Sequence, residues 1–310
     1  VYKRQRQDLQ DYFDTNYSPN NAVGFFAGDI DPDDVKKLAE KYFGAIPRGE
    51  ELVELTTREP EQQGERRVVV KQDAKPSLMI GYHVPANPHP DSYALTALQS
   101  ILGRGRTSRF YKGIYEEQGL TREAPDAWMG PGDRLDPLFV IDADPKDPHT
   151  LEEVEAAIMA ELERAKTEPV EMKELQRVWN QDEATLVRAL GSNTGRAYRV
   201  GFYAAMRGDW RALLTDMDRM KQVTPEDIMR VAEKYFTEEN RTVAWLVETE
   251  SEDGESEEEI DFREIMMWAQ TLPEAEQMEL MQKFQTLDDA GRQALAQELW
   301  ERMKAEQDKS

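Results

Sequence analysis

The chain contains no cysteine. Disulfide scaffolds, cysteine-ligated zinc sites and thiol catalysis are therefore excluded. Histidine is almost as scarce: His83 and His89 flank five residues around a proline-rich turn, and His149 follows Pro148 at a helix start. None belongs to an H-E-x-x-H helix or its inverse, whose i, i+4 spacing sets two imidazoles on one face. All three read as ordinary surface or strand histidines, and the residues present offer neither a metal site nor an assignable catalytic group. No Gly-x-Ser-x-Gly elbow occurs, which argues against an α/β-hydrolase. No apolar run approaches the ~18 residues of a membrane span. Positive charge is in deficit: 39 Lys plus Arg face 62 Asp plus Glu, for a net charge of −23. Such a surface repels phosphate backbones and makes nucleic acid a poor partner.

What is present suits a globular protein, with 39% hydrophobic residues over a length of 310, enough for about two domains at ~150 residues each. The opening Val1-Tyr2-Lys3-Arg4-Gln5 has neither an initiator Met nor the apolar stretch of a signal peptide, so the sequence reads as beginning inside a longer protein. Leu9, Tyr12, Phe13 and Asn16 are spaced as a helix, Ser18-Pro19-Asn20-Asn21 as a turn, and Ala22 to Ala27 as a buried apolar strand. Asp31-Pro32-Asp33-Asp34 opens a second helix ending at Gly44, with proline in its first turn and acids at the positive end of its dipole. The polar stretch from Arg48 to Arg66 reads as a linker.

A larger unit starts at Arg67. Val68 to Val70 and Ser77 to Val84 read as strands, the second placing Leu78, Ile80, Tyr82 and Val84 on one face. Asp91 is positioned to cap a helix carrying Leu95, Leu98, Ile101 and Leu102, and Leu138 to Ile141 forms another strand. Two long helices follow, on Leu151 through Ala165 and on Leu175 through Ala189. A helix from Pro225 to Phe236 and a strand from Thr242 to Val247 close the unit. Strands mixed with long helices imply an α+β sandwich with helices on one sheet face. A helix–aromatic–turn–Asn–strand unit occurs twice, with Tyr17 and Asn21 in one copy and Phe236 and Asn240 in the other, which suggests duplicated domains. The last 60 residues carry 17 acidic and 6 basic groups. An acidic linker there leads into three short helices with apolar stripes on Met278, Met281, Phe284 and Leu287 and on Leu295, Leu299 and Met303, a helical appendage or a partner-binding tail.

Gly103-Arg104-Gly105-Arg106-Thr107-Ser108-Arg109 could pass for an anion-binding loop, but it lacks the Lys and the spacing of a P-loop. A glycine-permitted turn, with Thr107 or Ser108 capping the next helix, is the simpler reading. The run Leu102 to Tyr111, followed by Glu116-Glu117-Gln118-Gly119-Leu120, resembles the C-terminal domain of the pitrilysin/insulinase family, zinc metallopeptidases of the inverted H-x-x-E-H class. The resemblance extends to Tyr17-Ser18-Pro19-Asn20-Asn21-Ala22 with Gly28-Asp29, and to Tyr42-Phe43-Gly44-Ala45-Ile46-Pro47. It continues through Gly208-Asp209-Trp210 and Val223-Thr224-Pro225-Glu226-Asp227, covering roughly residues 8 to 249.

The resemblance implies duplicated α/β sandwich domains closing around unfolded peptides. Residues 1–47 would end a first peptidase-like domain and 48–66 would link it to a partner domain at 67–249. An acidic linker at 250–259 and a helical tail at 260–310 lie outside the resemblance. It further implies part of a zinc-dependent endopeptidase, with the metal ligands upstream of Val1 and a homologous domain or subunit closing the chamber. The alternative is a non-catalytic subunit or assembly protein of the same fold. Active relatives carry an Arg and a Tyr seven residues apart that hold the substrate carbonyl. Here those positions are Tyr115 and Arg122, in reverse order, and they are the candidate substrate-binding residues. Because a guanidinium and a phenol differ in reach, Tyr115 is expected to pack beside Tyr111 and Arg122 to pair with a carboxylate such as Glu116 or Glu123. Relatives in bacteria are often exported, which points by analogy to the periplasm; the sequence itself leaves the compartment open.

Overall fold

The structure, a computed structural model, describes residues 6–52, 59–132 and 135–249, together with isolated positions between 265 and 303. The chain divides into two compact units, Val1–Thr249 and Glu250–Ser310.

The larger unit is α+β. Its sheet has five strands: β1 (Arg66–Gln72), β2 (Ser77–His83), β3 (Asp126–Gly130), β4 (Leu138–Ala143) and β5 (Arg241–Glu248), in the spatial order β1-β5-β2-β4-β3. β1 and β5 pair in parallel, with Val69 opposite Trp245, and the remaining neighbours are antiparallel. The alternation in β2 sets the face. Leu78, Ile80 and Tyr82 are buried, and across the ladders Ile141, Phe139 and Val243 join them on the same side. Full burial of one such side chain contributes about 1.5–3 kcal/mol.

Among the described residues, helices cover that face alone. α3 (Pro90–Gly103), α4 (Leu151–Thr167) and α8 (Pro225–Tyr235) form the layer beside the sheet. α5 (Met172–Leu190), α6 (Asn193–Arg207) and α7 (Ala212–Met220) form an outer group that meets α3 through α5 and α7. α4 begins on a capping box between Thr150 and Glu153, and α8 on another between Thr224 and Asp227. The sequence reading left β3, α6 and α7 unassigned. It also made Asp91 the cap of α3, but that cap is His89, whose Nδ1 accepts the Asp91 N–H at 3.1 Å. Asp91 is instead buried against α8, where Arg230 (2.6 Å), Lys234 (2.8 Å) and the Tyr235 hydroxyl (2.7 Å) donate to its carboxylate. Burial alone would raise this carboxyl, but those donors outweigh it and hold the group far below the usual carboxylate range.

The segment ahead of β1 behaves differently. α1 (Arg6–Asn16) and α2 (Pro32–Phe43) form as the spacing predicts, α2 with Asp31 as its cap, yet neither contains a buried residue. The strand expected at Ala22 to Ala27 is not one: these residues join no ladder, and Val23 and Phe26 are exposed. An apolar run becomes a buried strand only where neighbours hydrogen-bond to its edges, and none does so here among the described residues. The segment instead lies on α6, with the Phe25 ring against Gly201, where a Cβ would stand 2.8 Å from the ring.

In the smaller unit, Ile265, Ala296, Trp300 and Met303 form an apolar cluster with Trp268 and Leu299 against it. Leu299 and Met303 of the second expected stripe both belong to this packing. Of the expected acidic linker and the stripe on Met278, Met281, Phe284 and Leu287, these residues lie outside the described ones.

Candidate functional site

One sheet face is packed and the other is open. Register places Val68 and Val70 of β1, Ala244 and Leu246 of β5, Met79 and Gly81 of β2, Val140 and Asp142 of β4, and Trp128 of β3 on the open side. Val68, Val70 and Met79 are about half exposed, although all three are apolar. β1 is also an edge strand in which every residue is exposed. At the other edge, Trp128 Nε1 donates to Asp142 Oδ1 at 2.7 Å. The Asp142 carboxyl is nevertheless pushed up, first by burial and then by the neighbouring charges of Asp126 and Asp144. The arrangement is an apolar shelf with an acidic margin where Asp126 and Asp142 lie opposite each other.

The glycine-containing loop that precedes the candidate residues is a turn. Gly105 has φ +78°, and Ser108 Oγ accepts the Tyr111 N–H at 3.3 Å. Phe110–Glu117 then winds as a π-helix, with Phe110 and Ile114 buried beneath it. Two of the loop's cations are already paired. Arg104 Nη1 meets Asp182 at 2.6 Å, and Arg109 forms a two-pronged pair with Glu174 at 3.2 and 3.1 Å. Burial would raise the Glu174 carboxyl, but the Arg109 bonds and the Glu171 N–H bring it below its ordinary value.

Tyr115 lies in the π-helix, its ring tilted against Tyr111 with centroids 5.2 Å apart. Arg122 stands beyond it at the end of the sheet where β2 begins and β4 finishes. Its N–H donates to the Asp144 carbonyl at 2.9 Å and its Nη2 to the Pro76 carbonyl at 3.3 Å. The carboxylate partner expected for Arg122 is therefore corrected to a backbone carbonyl, and no hydrogen bond joins Arg122 to Tyr115. The reason is local: the bridge of Thr121 to Pro145 fixes the chain direction, turning Arg122 towards the residue before β2.

The histidines are apart in role as well as in sequence. The carbonyl of His83 accepts from Asn240 Nδ2 at 2.9 Å, His89 caps α3, and His149 Nδ1 sits 3.0 Å from Glu153. Among the described residues no three His, Cys, Asp or Glu side chains group as metal ligands would. A zinc ion does not fit the donors present.

Against this geometry, comparison with known proteins is specific. The family described as the peptidase M16 inactive domain matches residues 3–181. The chain belongs to that family. Among individual relatives, it is 27% identical over 244 residues to the zinc protease PqqE of Helicobacter pylori, covering 77% of this chain and 54% of that protein. It is 24% identical over 234 residues to the uncharacterized zinc protease YmxG of Bacillus subtilis, covering 76% and 55%. The crystal structure of a protease from Helicobacter pylori superimposes with a TM-score of 0.71 at 25% identity, covering 79% of this chain and 60% of that one. The chain thus spans about half the length of the curated relatives it matches. Among the described residues no helix is long and apolar enough to cross a membrane.

Proposed function

We propose that residues 67–249 are the partner domain of a zinc-dependent endopeptidase that cleaves peptides or unfolded protein segments, with the open sheet face forming one wall of the substrate chamber. The carrying observation is that face: apolar at Val68, Val70 and Met79, and backed by a packed helical layer over β2 and β4, in a chain of the peptidase M16 inactive family. A solvated sheet face is ordinarily polar, and Val68, Val70 and Met79 suit transient contact with the side chains of an unfolded segment. The zinc ligands lie outside these residues, in a homologous domain or subunit that closes the chamber. Residues 1–47 end such a domain, and 48–66 link it to the partner. Tyr115 and Arg122 are the substrate-binding candidates on this side.

The test pairs this chain with a family polypeptide that carries H-x-x-E-H. By itself the chain should retain no zinc after dialysis and leave a fluorogenic unfolded peptide intact. Together the two should cleave it in a zinc-dependent manner, and Met79→Glu should lower the rate by an order of magnitude. One tightly held zinc per chain in the isolated protein would overturn the placing of the ligands. An unchanged rate with Met79→Glu would remove the sheet face from the chamber. Binding to a zinc-loaded partner without hydrolysis would favour the non-catalytic assembly reading.

A further inference from the structure

On the side away from the open sheet face, α3, α5, α6 and α7 line a half-open cleft of about 320 Å³, within the size range of small-molecule sites. Its walls combine two kinds of surface. Leu186 of α5 and Leu213, Met217 and Met220 of α7 supply an apolar side. Arg199 and Tyr203, one turn apart on α6, supply a polar side.

The charges around the cleft do not balance. Asp182 is taken by Arg104 at 2.6 Å, and Asp216 by Arg207 at 2.7 Å and the Tyr93 hydroxyl at 2.8 Å. Arg219 donates to the same Tyr93 hydroxyl at 3.0 Å. With both carboxylates satisfied, Arg199 remains: it is half-buried and has no hydrogen bond or ion pair among the described residues. The Tyr203 hydroxyl likewise has no partner there. Burial raises its pKa, so it stays a neutral O–H donor near pH 7. A guanidinium presents planar paired N–H groups that match a carboxylate, and a phenol one turn away adds a further donor.

The geometry points to a binding site for a small organic carboxylate with an apolar body, its charged head on Arg199 and Tyr203 and its body against Leu213 and Met217. Nothing in this site depends on the peptidase reading, and it lies apart from Tyr115 and Arg122 in the fold. A free cation facing an apolar wall selects both parts of such a ligand. Acetate carries only the head, and an uncharged amide carries only the body.

Isothermal titration of the full chain tests this with four probes: N-acetyl-leucine, N-acetyl-leucine amide, acetate and inorganic phosphate. N-acetyl-leucine should bind saturably in the low-millimolar range or tighter, with the other three at least tenfold weaker. Arg199→Gln, which removes a cation with no protein partner and should leave the circular dichroism unchanged, should weaken N-acetyl-leucine at least tenfold. Tyr203→Phe should weaken it severalfold and provides a second variant that alters only one hydroxyl. Equal binding of the amide, equal binding of phosphate, no saturable binding of N-acetyl-leucine, or an unchanged affinity in folded Arg199→Gln would each overturn the assignment.

Discussion

Helix α1 with residues 22–27, and helix α8 with strand β5, are assembled from corresponding parts, but only the second pair has a core around it. Asn21 Nδ2 donates to the carbonyl of Asn16 at 2.7 Å, and Asn240 Nδ2 to that of Tyr235 at 2.8 Å, each five residues back at a helix end. The aromatic residue between them then diverges. Tyr17 is 69% exposed, whereas Phe236 is 3% exposed and packs on Tyr82 and Phe139 with ring centroids 4.9 Å away in both cases. The matching Asn bonds show that the helix end is a local design, stable on its own hydrogen bonds. Burial is not local. It comes to α8 and β5 from β1, β2 and α3, and no described strand flanks residues 22–27.

The largest effect that could break this comparison is Phe236→Ala. Loss of a fully packed aromatic should cost about 3–5 kcal/mol in urea unfolding. A cost below about 1 kcal/mol would mean that the aromatic position is no more buried in the second copy than in the first.

Next is Asp91→Asn, which removes the charge that latches α3 to α8. It should cost about 2 kcal/mol at pH 7, the scale of hydrogen bonds to a charged group. The native carboxyl is held low, so its contribution is complete above the unfolded-state pKa near ~3.9 and fades as pH falls through the lowered native value. The gap between variant and parent should therefore be constant from pH 5 to 8 and narrow below about pH 4. A gap that widened on acidification would contradict the latch.

In the enzyme assembly proposed above, Tyr115→Phe and Arg122→Ala should each lower kcat/KM less than about tenfold, or ~1.4 kcal/mol, because one ring packs on Tyr111 and one guanidinium bonds the Pro76 carbonyl. A hundredfold loss in kcat from either would give them a transition-state role. Smallest of all, Tyr17→Ala should shift the stability of this chain by no more than about 0.5 kcal/mol, the scale of an exposed substitution.

The sequence displayed β2 plainly, because Leu78, Ile80, Tyr82 and Val84 alternate with Ser77, Met79, Gly81 and His83 across the strand. The long helices α4 and α5 were equally legible from their 3.6-residue spacing. α6 was not: it buries no residue, and Gly195 and Gly201 lower its helix propensity. β3 is five residues bounded by glycine and proline, too short for a period of two to stand out. The strand expected at residues 22–27 was read from composition, which reports the capacity to be buried and not the presence of a neighbour. Arg199 and Tyr203 gave no signal at all, because the cleft they face is lined by α7, which the sequence reading left unassigned.

The place of β5 in the sheet has a consequence for how the protein is made. β5 is the last strand of the unit to leave the ribosome, and it lies between the first two. The β2-β4-β3 ladder can zip while synthesis continues, but β1 has no hydrogen-bonded neighbour until residues 241–248 emerge. Pairing over so long a stretch of chain is slow. Throughout that interval Val68-Val69-Val70 is an unpaired apolar strand with both edges bare, the kind of segment that recruits other nascent chains.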